Sequence, residues 1–113
     1  CYDLRFPELS RQLAQEDISV LFVPAEWPTV REMHWRVLTQ ARAIENQCYV
    51  IAAAQGGLHD SGRRTYGHSM IIDPWGEILA VLPEGEGVIT AELDPARLNS
   101  VRQRLPALAH RIL

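Results

Sequence analysis

The residue best suited to covalent chemistry stands first in the chain. Cys1 runs into Tyr2-Asp3-Leu4-Arg5-Phe6-Pro7-Glu8-Leu9-Ser10, a stretch with helix signals. A thiol at a helix N-terminus is well placed as a nucleophile. Free N–H groups and the helix dipole stabilise thiolate there and can pull its pKa below the free value of about 8.5. Cys48 lies in the apolar run Cys48-Tyr49-Val50-Ile51-Ala52 and reads as a buried structural thiol. The two cysteines have neither zinc spacing nor a disulfide framework, and a reducing cytoplasm suits them. His34, His59, His68 and His110 lack metal-ligand spacing, so no metal and no cofactor are expected. His34 and Trp35 read as structural packing, and His68 as a satisfied core residue. Asp3 is expected to cap the first helix, and Arg5 and Glu8, one turn apart, to form an ion pair. Arg63-Arg64 reads as a solvated loop that would welcome a substrate carboxylate.

These residues need a scaffold, and 113 residues suffice for one small domain with a real core. Hydrophobic residues make up 47% and charged residues 22%, as in a soluble globular protein. A net charge of −3 argues against a general nucleic-acid binder. No apolar run reaches the roughly 18 residues of a membrane span, and nothing resembles a signal peptide. All eleven basic side chains are arginine, and no lysine occurs.

The local patterns predict a helix over 7–15, with Pro7 in its first turn. Val20-Leu21-Phe22-Val23 reads as a buried strand ended by Pro24, and 24–28 as a loop. Thr29 and Glu32 have capping-box spacing for a helix over 30–46, whose apolar face is Met33, Val37, Ala41 and Ile44. A second buried strand is predicted over 49–54, then a polar turn region over 56–62. Strands over 68–72 and 77–81 flank an Asp73-Pro74-Trp75-Gly76 turn. Val88 to Leu93 reads as a further strand. Asp94 and Pro95 then look like an N-cap and first residue of a helix to Arg104, closed by Pro106. This order implies a layered α/β domain.

Four separated segments carry a resemblance to a known family. CYDLRFPELS, ARAIENQCYVIAAAQ (Ala41 to Gln55), YGHSMIIDPWGEILA (Tyr66 to Ala80) and LDPARLNSVRQRLP (Leu93 to Pro106) resemble the nitrilase superfamily of carbon–nitrogen hydrolases in order and spacing. Within it the chain looks most like the Nit-type amidases, especially the branch acting on deaminated glutathione.

The resemblance implies a four-layer α-β-β-α sandwich, with residues 1–113 as the C-terminal portion of a single domain. It implies hydrolysis of a non-peptide amide in a small carboxylated substrate. The cysteine attacks the carbonyl, ammonia leaves, and water hydrolyses the thioester. Cys1 matches the nucleophile, and the Tyr2 backbone N–H the oxyanion-hole donor, a group worth roughly 10²–10³ in rate. Glu26 and Trp27 match substrate-pocket positions, where the Nit branch usually has a small residue and Phe. The family's Glu base and Lys lie upstream of the cysteine, so the chain alone is expected to be inactive. Arg42, Glu45 and Asn46 fall near subunit contacts in the family, which implies a homo-oligomeric parent; with the charge, hydropathy and cysteines above, it is expected to be cytoplasmic and without nucleic-acid or membrane partners. Open alternatives are an ω-amidase of 2-oxo acid amides, an N-terminal-nucleophile hydrolase using the Cys1 α-amine as base, and a non-catalytic remnant. The isolated chain is expected to be aggregation-prone, with apolar faces and strand edges uncovered.

Overall fold

A computed structural model describes residues 1–112. After a 3-10 turn over Tyr2–Arg5 come helix α1 (Pro7–Ala14), strand β1 (Val20–Glu26), a second 3-10 turn (Thr29–Arg31) and helix α2 (Glu32–Asn46). Strands β2 (Tyr49–Leu58), β3 (Arg64–Tyr66), β4 (Ser69–Ile72) and β5 (Ile78–Leu82) follow, then helix α3 (Pro95–Arg104) and a last 3-10 turn (Ala107–His110). The sheet runs β1-β2-β4-β5, with β3 paired to the far half of β2. β1 and β2 are parallel and α2 crosses between them; the other pairs are antiparallel.

β1 does not stop at Pro24 as the sequence predicts. Pro24 sits opposite Ala53, and the ladder continues to Glu26 opposite Gln55. β1 is an edge strand, so a residue without an N–H is tolerated where that bond would point outward. β2 likewise extends through Gly56 and Gly57 into the expected turn region, pairing there with β3. A Cβ on Gly56 would meet the Gly67 backbone at 3.0 Å, so the two chains approach this closely only because Gly56 has none.

α2 presents the opposite face to the one its apolar pattern predicts. Met33, Val37 and Ile44 point outward, 71%, 54% and 54% exposed. Its buried residues are Trp35, Thr39, Arg42, Ala43 and Asn46. The donors on this face find partners inside: Thr39 Oγ1 donates to the Trp35 carbonyl, Arg42 to the Leu4 carbonyl, and Asn46 Nδ2 to Ser10 Oγ, while Asn46 Oδ1 is buried without a partner among the described residues. Paired polar groups bury without large penalty, so Trp35 decides which side faces the sheet. The capping box does not form either. Thr29 lies inside the 3-10 turn, and Arg31 precedes α2 without a side-chain cap.

Trp35 and Ala43 pack with Leu4 and Trp27 on Val50, Ala52, Met70 and Ile72 of the sheet. The opposite sheet face carries the row Phe22, Ile51, Ile71, Ala80, joined by strand register. Phe22 in that row is 69% exposed. The described residues thus form one sheet and one helix layer, an α/β arrangement supplying half of the sandwich that the resemblance implies.

α3 begins as predicted, with Asp94 Oδ1 accepting from the Ala96 N–H at 2.9 Å. The 88–93 segment forms no strand: a strand needs a neighbouring ladder, and Val88 is exposed with none beside it. The predicted turn between β4 and β5 is present. Asp73 Oδ1 accepts from the Trp75 and Glu77 N–H groups at 2.8 and 2.9 Å, and Arg97 of α3 pairs with its Oδ2 at 3.4 Å.

Candidate active site

The candidate site lies where the parallel strand β1 finishes. Cys1 precedes the first 3-10 turn, in which the Leu4 N–H donates to the Cys1 carbonyl at 3.1 Å. Phe6 is then extended, and α1 starts only at Pro7. The expectation of a thiol at an α-helix N-terminus is therefore corrected: Pro7 pushes Phe6 out of the helical region, so the helix cannot begin at Cys1. Asp3 does not cap that helix; its carbonyl accepts from the Phe6 N–H at 3.0 Å.

Strand β1 faces the thiol instead. The Glu26 N–H donates to Cys1 Sγ at 3.3 Å, and the protonated thiol can donate to the Glu26 carbonyl at 3.5 Å. Cys1 itself is exposed. Cys1, Tyr2, Glu26 and Trp27, the four residues singled out from the sequence, line one open cleft of about 430 Å³. Arg5, Pro28, Arg31 and His34 complete it.

Trp27 is its floor rather than a free wall. The ring is 2% exposed and tilts against Trp35 with centroids 5.5 Å apart, and its indole N–H donates to the Arg31 carbonyl at 2.6 Å. Arg5 does not pair with Glu8. Its guanidinium stands 5.1 Å from the Trp27 ring centroid and reaches His34 Nδ1 at 3.1 Å. A guanidinium only donates, so His34 Nδ1 accepts in this contact. The desolvated ring face attracts the guanidinium more than an exposed carboxylate on the same turn does. Arg5 and Arg31 thus give the cleft a cationic edge suited to a carboxylate, with His34 beside them. Arg31 also lines a neighbouring depression with Arg63 and Arg64.

His34 therefore belongs to the cleft and not to packing, whereas Trp35 is fully buried, its indole N–H donating to the His68 carbonyl at 2.9 Å. His68 is satisfied but half-buried and outside the core, stacked on Tyr66 with its Nδ1 near the Tyr66 carbonyl. Arg42 is buried against the Cys1 turn instead of lying at a surface. The sequence signal available for it was its place one turn before Asn46 on a face otherwise led by Trp35. Cys48 is fully buried, as expected; desolvation pushes its thiol up to about 11, Arg102 opposing and Glu45 adding to the shift. The two thiols are thus chemically distinct.

With this geometry in place, comparison with known proteins is decisive for ancestry. Residues 1–103 match the carbon-nitrogen hydrolase family. The chain belongs to that family. It is 57% identical over 113 residues to a deaminated glutathione amidase of Synechocystis sp., covering 99% of this chain and 42% of that protein. The chain therefore spans less than half the length of this relative. Among solved structures, the C. elegans NitFhit protein superposes with a TM-score of 0.93 at 44% identity, covering 98% of this chain and 27% of that one. Saccharomyces cerevisiae Nit3, a member of branch 10 of the nitrilase superfamily, superposes at 0.92 and 39% identity, over 100% of this chain and 42% of that one. A mutant amidase from Nesterenkonia sp. AN1, at 0.71 and 27% identity over 94% of this chain and 41% of that one, carries the product of Michael addition of acrylamide at its active site cysteine. The carbon-nitrogen hydrolase chain described here thus has the nitrilase-superfamily fold.

Proposed function

We propose that this carbon-nitrogen hydrolase chain is the nucleophile-bearing, C-terminal portion of a longer amidase that acts on a small carboxylated amide. The contact carrying this reading is Cys1 Sγ against the Glu26 N–H, in a cleft rimmed by Arg5, Arg31 and His34. The thiolate of Cys1 adds to the amide carbonyl, and the Tyr2 N–H receives the oxyanion. The C–N bond then breaks, the nitrogen leaves with a proton (as ammonia from a primary amide), and a thioester remains. Water attacks the thioester, releasing the carboxylic acid and restoring the thiol. The base and proton donor for both halves come from residues outside these 113, since the chain has no lysine and no assigned Glu base.

Deaminated glutathione is the first candidate substrate, because the Synechocystis relative bears that name. ω-Amides of 2-oxo acids share the carboxylate and are the second. Trp27, placed as a rigid floor, narrows the cleft beside the thiol and Arg5 orients the carboxylate. The outward stripe of Met33, Val37 and Ile44 supports self-association of the full-length protein. Two free thiols support a reducing, cytoplasmic setting.

The test is amide hydrolysis by the full-length protein with deaminated glutathione and with a 2-oxo acid ω-amide. Loss of turnover in Cys1→Ala, with acrylamide adding only at Cys1 in the wild type, is the expected result. Turnover surviving in Cys1→Ala rejects the assignment. Ammonia release by the 113-residue chain alone would instead favour the Cys1 α-amine as base.

A further inference from the structure

One main-chain carbonyl of the Cys1 turn, that of Leu4, is held from helix α2. Arg42 of α2 grips it twice, donating from Nε at 3.1 Å and from Nη2 at 2.7 Å. The Leu4 N–H in turn donates to the Cys1 carbonyl at 3.1 Å. Arg42 is thus linked to the nucleophile's own peptide through a single residue. Its remaining arm donates from Nη1 to Glu45 at 2.8 Å, and the whole residue is only 4% exposed. Arg42 also lines, with Cys1, a second cavity of about 200 Å³.

Physical chemistry makes this arrangement strict. A buried guanidinium must have its donors met, and a fork on one carbonyl sets the direction of that peptide as well as its position. The Leu4 side chain sits in the core with Trp27 and Trp35, so the turn is held by its carbonyl on one side and its side chain on the other. One turn further along α2, Asn46 binds Ser10 Oγ and so anchors α1, while the Leu4 carbonyl is the main-chain grip on the Cys1 turn.

We infer that Arg42 is a positioning residue for the nucleophile: its grip on the Leu4 carbonyl holds Cys1 Sγ against the Glu26 N–H and aims the Tyr2 N–H into the cleft. This rests on Cys1 being the nucleophile. Without the grip the turn shifts on its Leu4 anchor, and the thiol loses a fixed donor. Because Cys1 is already exposed, its accessibility changes little and its reactivity falls.

The test follows iodoacetamide alkylation of Cys1 and Cys48 in the full-length protein, resolved by peptide mass, in the wild type, R42K and R42M. Hydrogen exchange of the Glu26 amide is the second readout, since that N–H touches the thiol and not Arg42. R42M is expected to slow Cys1 alkylation about tenfold, the worth of one well-placed hydrogen bond, and to speed Glu26 exchange. R42K keeps one donor in place of the fork and is expected to fall between the two. Cys48 stays unreactive throughout, reporting an intact core. A wild-type Cys1 rate in either variant with Cys48 protected overturns the positioning role. Should R42M also expose Cys48, R42K decides alone by the same criterion; exposure of Cys48 in both reduces Arg42 to a core residue and overturns the role. If wild-type Cys1 reacts no faster than the thiols of the denatured chain, the nucleophile reading fails and the positioning role with it.

Discussion

The Glu26 main-chain N–H donates to Cys1 Sγ across 3.3 Å, joining residues 25 positions apart. It is the end of an edge strand, carried past Pro24, that brings this donor to the thiol. The relevant part of Glu26 is thus its backbone.

This separates two substitutions. Glu26→Ala keeps the N–H and should leave Cys1 alkylation within about twofold, whereas Glu26→Pro deletes the donor and should slow it roughly tenfold. Equal rates in the two variants would mean that the contact has no chemical weight.

Trp27 should matter first for stability. Trp27→Ala opens a void beneath Arg5 and against Trp35, with an expected loss of about 3–5 kcal/mol. Trp27→Phe keeps a ring face for Arg5 but forfeits the indole bond to the Arg31 carbonyl, costing about 1 kcal/mol. Urea unfolding of the full-length protein measures both, and a Trp27→Ala loss below the Trp27→Phe loss would contradict the floor role.

Cys48 sets a stability limit at alkaline pH. Its folded thiol ionises near 11 and the unfolded one near 9.0, so below pH 9 it is neutral in both states and its contribution is complete. Between those values only the unfolded chain gains by ionising, and stability falls by roughly 2–3 kcal/mol as pH rises through the window. Comparing wild type with Cys48→Ala at several pH values isolates this slope, which should vanish in the variant.

Asp73 is the keystone between the β4–β5 turn and α3. It is 3% exposed, accepts two main-chain N–H bonds and pairs with Arg97. Asp73→Ala strands both donors and should cost about 2–4 kcal/mol. Arg97→Ala removes only a half-exposed partner and should cost about 1 kcal/mol or less. Thermal denaturation of the pair tests this order.

The outward stripe of α2 should be the place where association breaks. Val37→Glu in the full-length protein is expected to lower the sedimenting mass without lowering the yield of folded protein. An unchanged mass would assign the stripe no part in assembly.

How much of this was legible beforehand can be read from individual elements. Asp94-Pro95, the Asp73–Gly76 turn and the buried run after Cys48 carry their instructions within four or five residues, and each formed as read. Cys1, Tyr2, Glu26 and Trp27 were picked out from the chain and share one cleft. Arg5 and His34 were assigned elsewhere, because their meeting depends on α2 crossing above the Cys1 turn.

What the sequence by itself determined is the set of local choices and the ancestry written in four spaced segments. Propensity, capping and turn chemistry act between near neighbours, and they need no knowledge of the rest of the fold. Tertiary structure alone decided three other matters: which face of α2 is buried, that β1 runs through Pro24, and that Arg42 closes on the Leu4 carbonyl. The last two depend on partners 29 and 38 residues away, and the first on the sheet and Trp27 meeting Trp35 across the fold. Burial follows such pairing as much as hydrophobicity, and pairing exists only once the chain has folded.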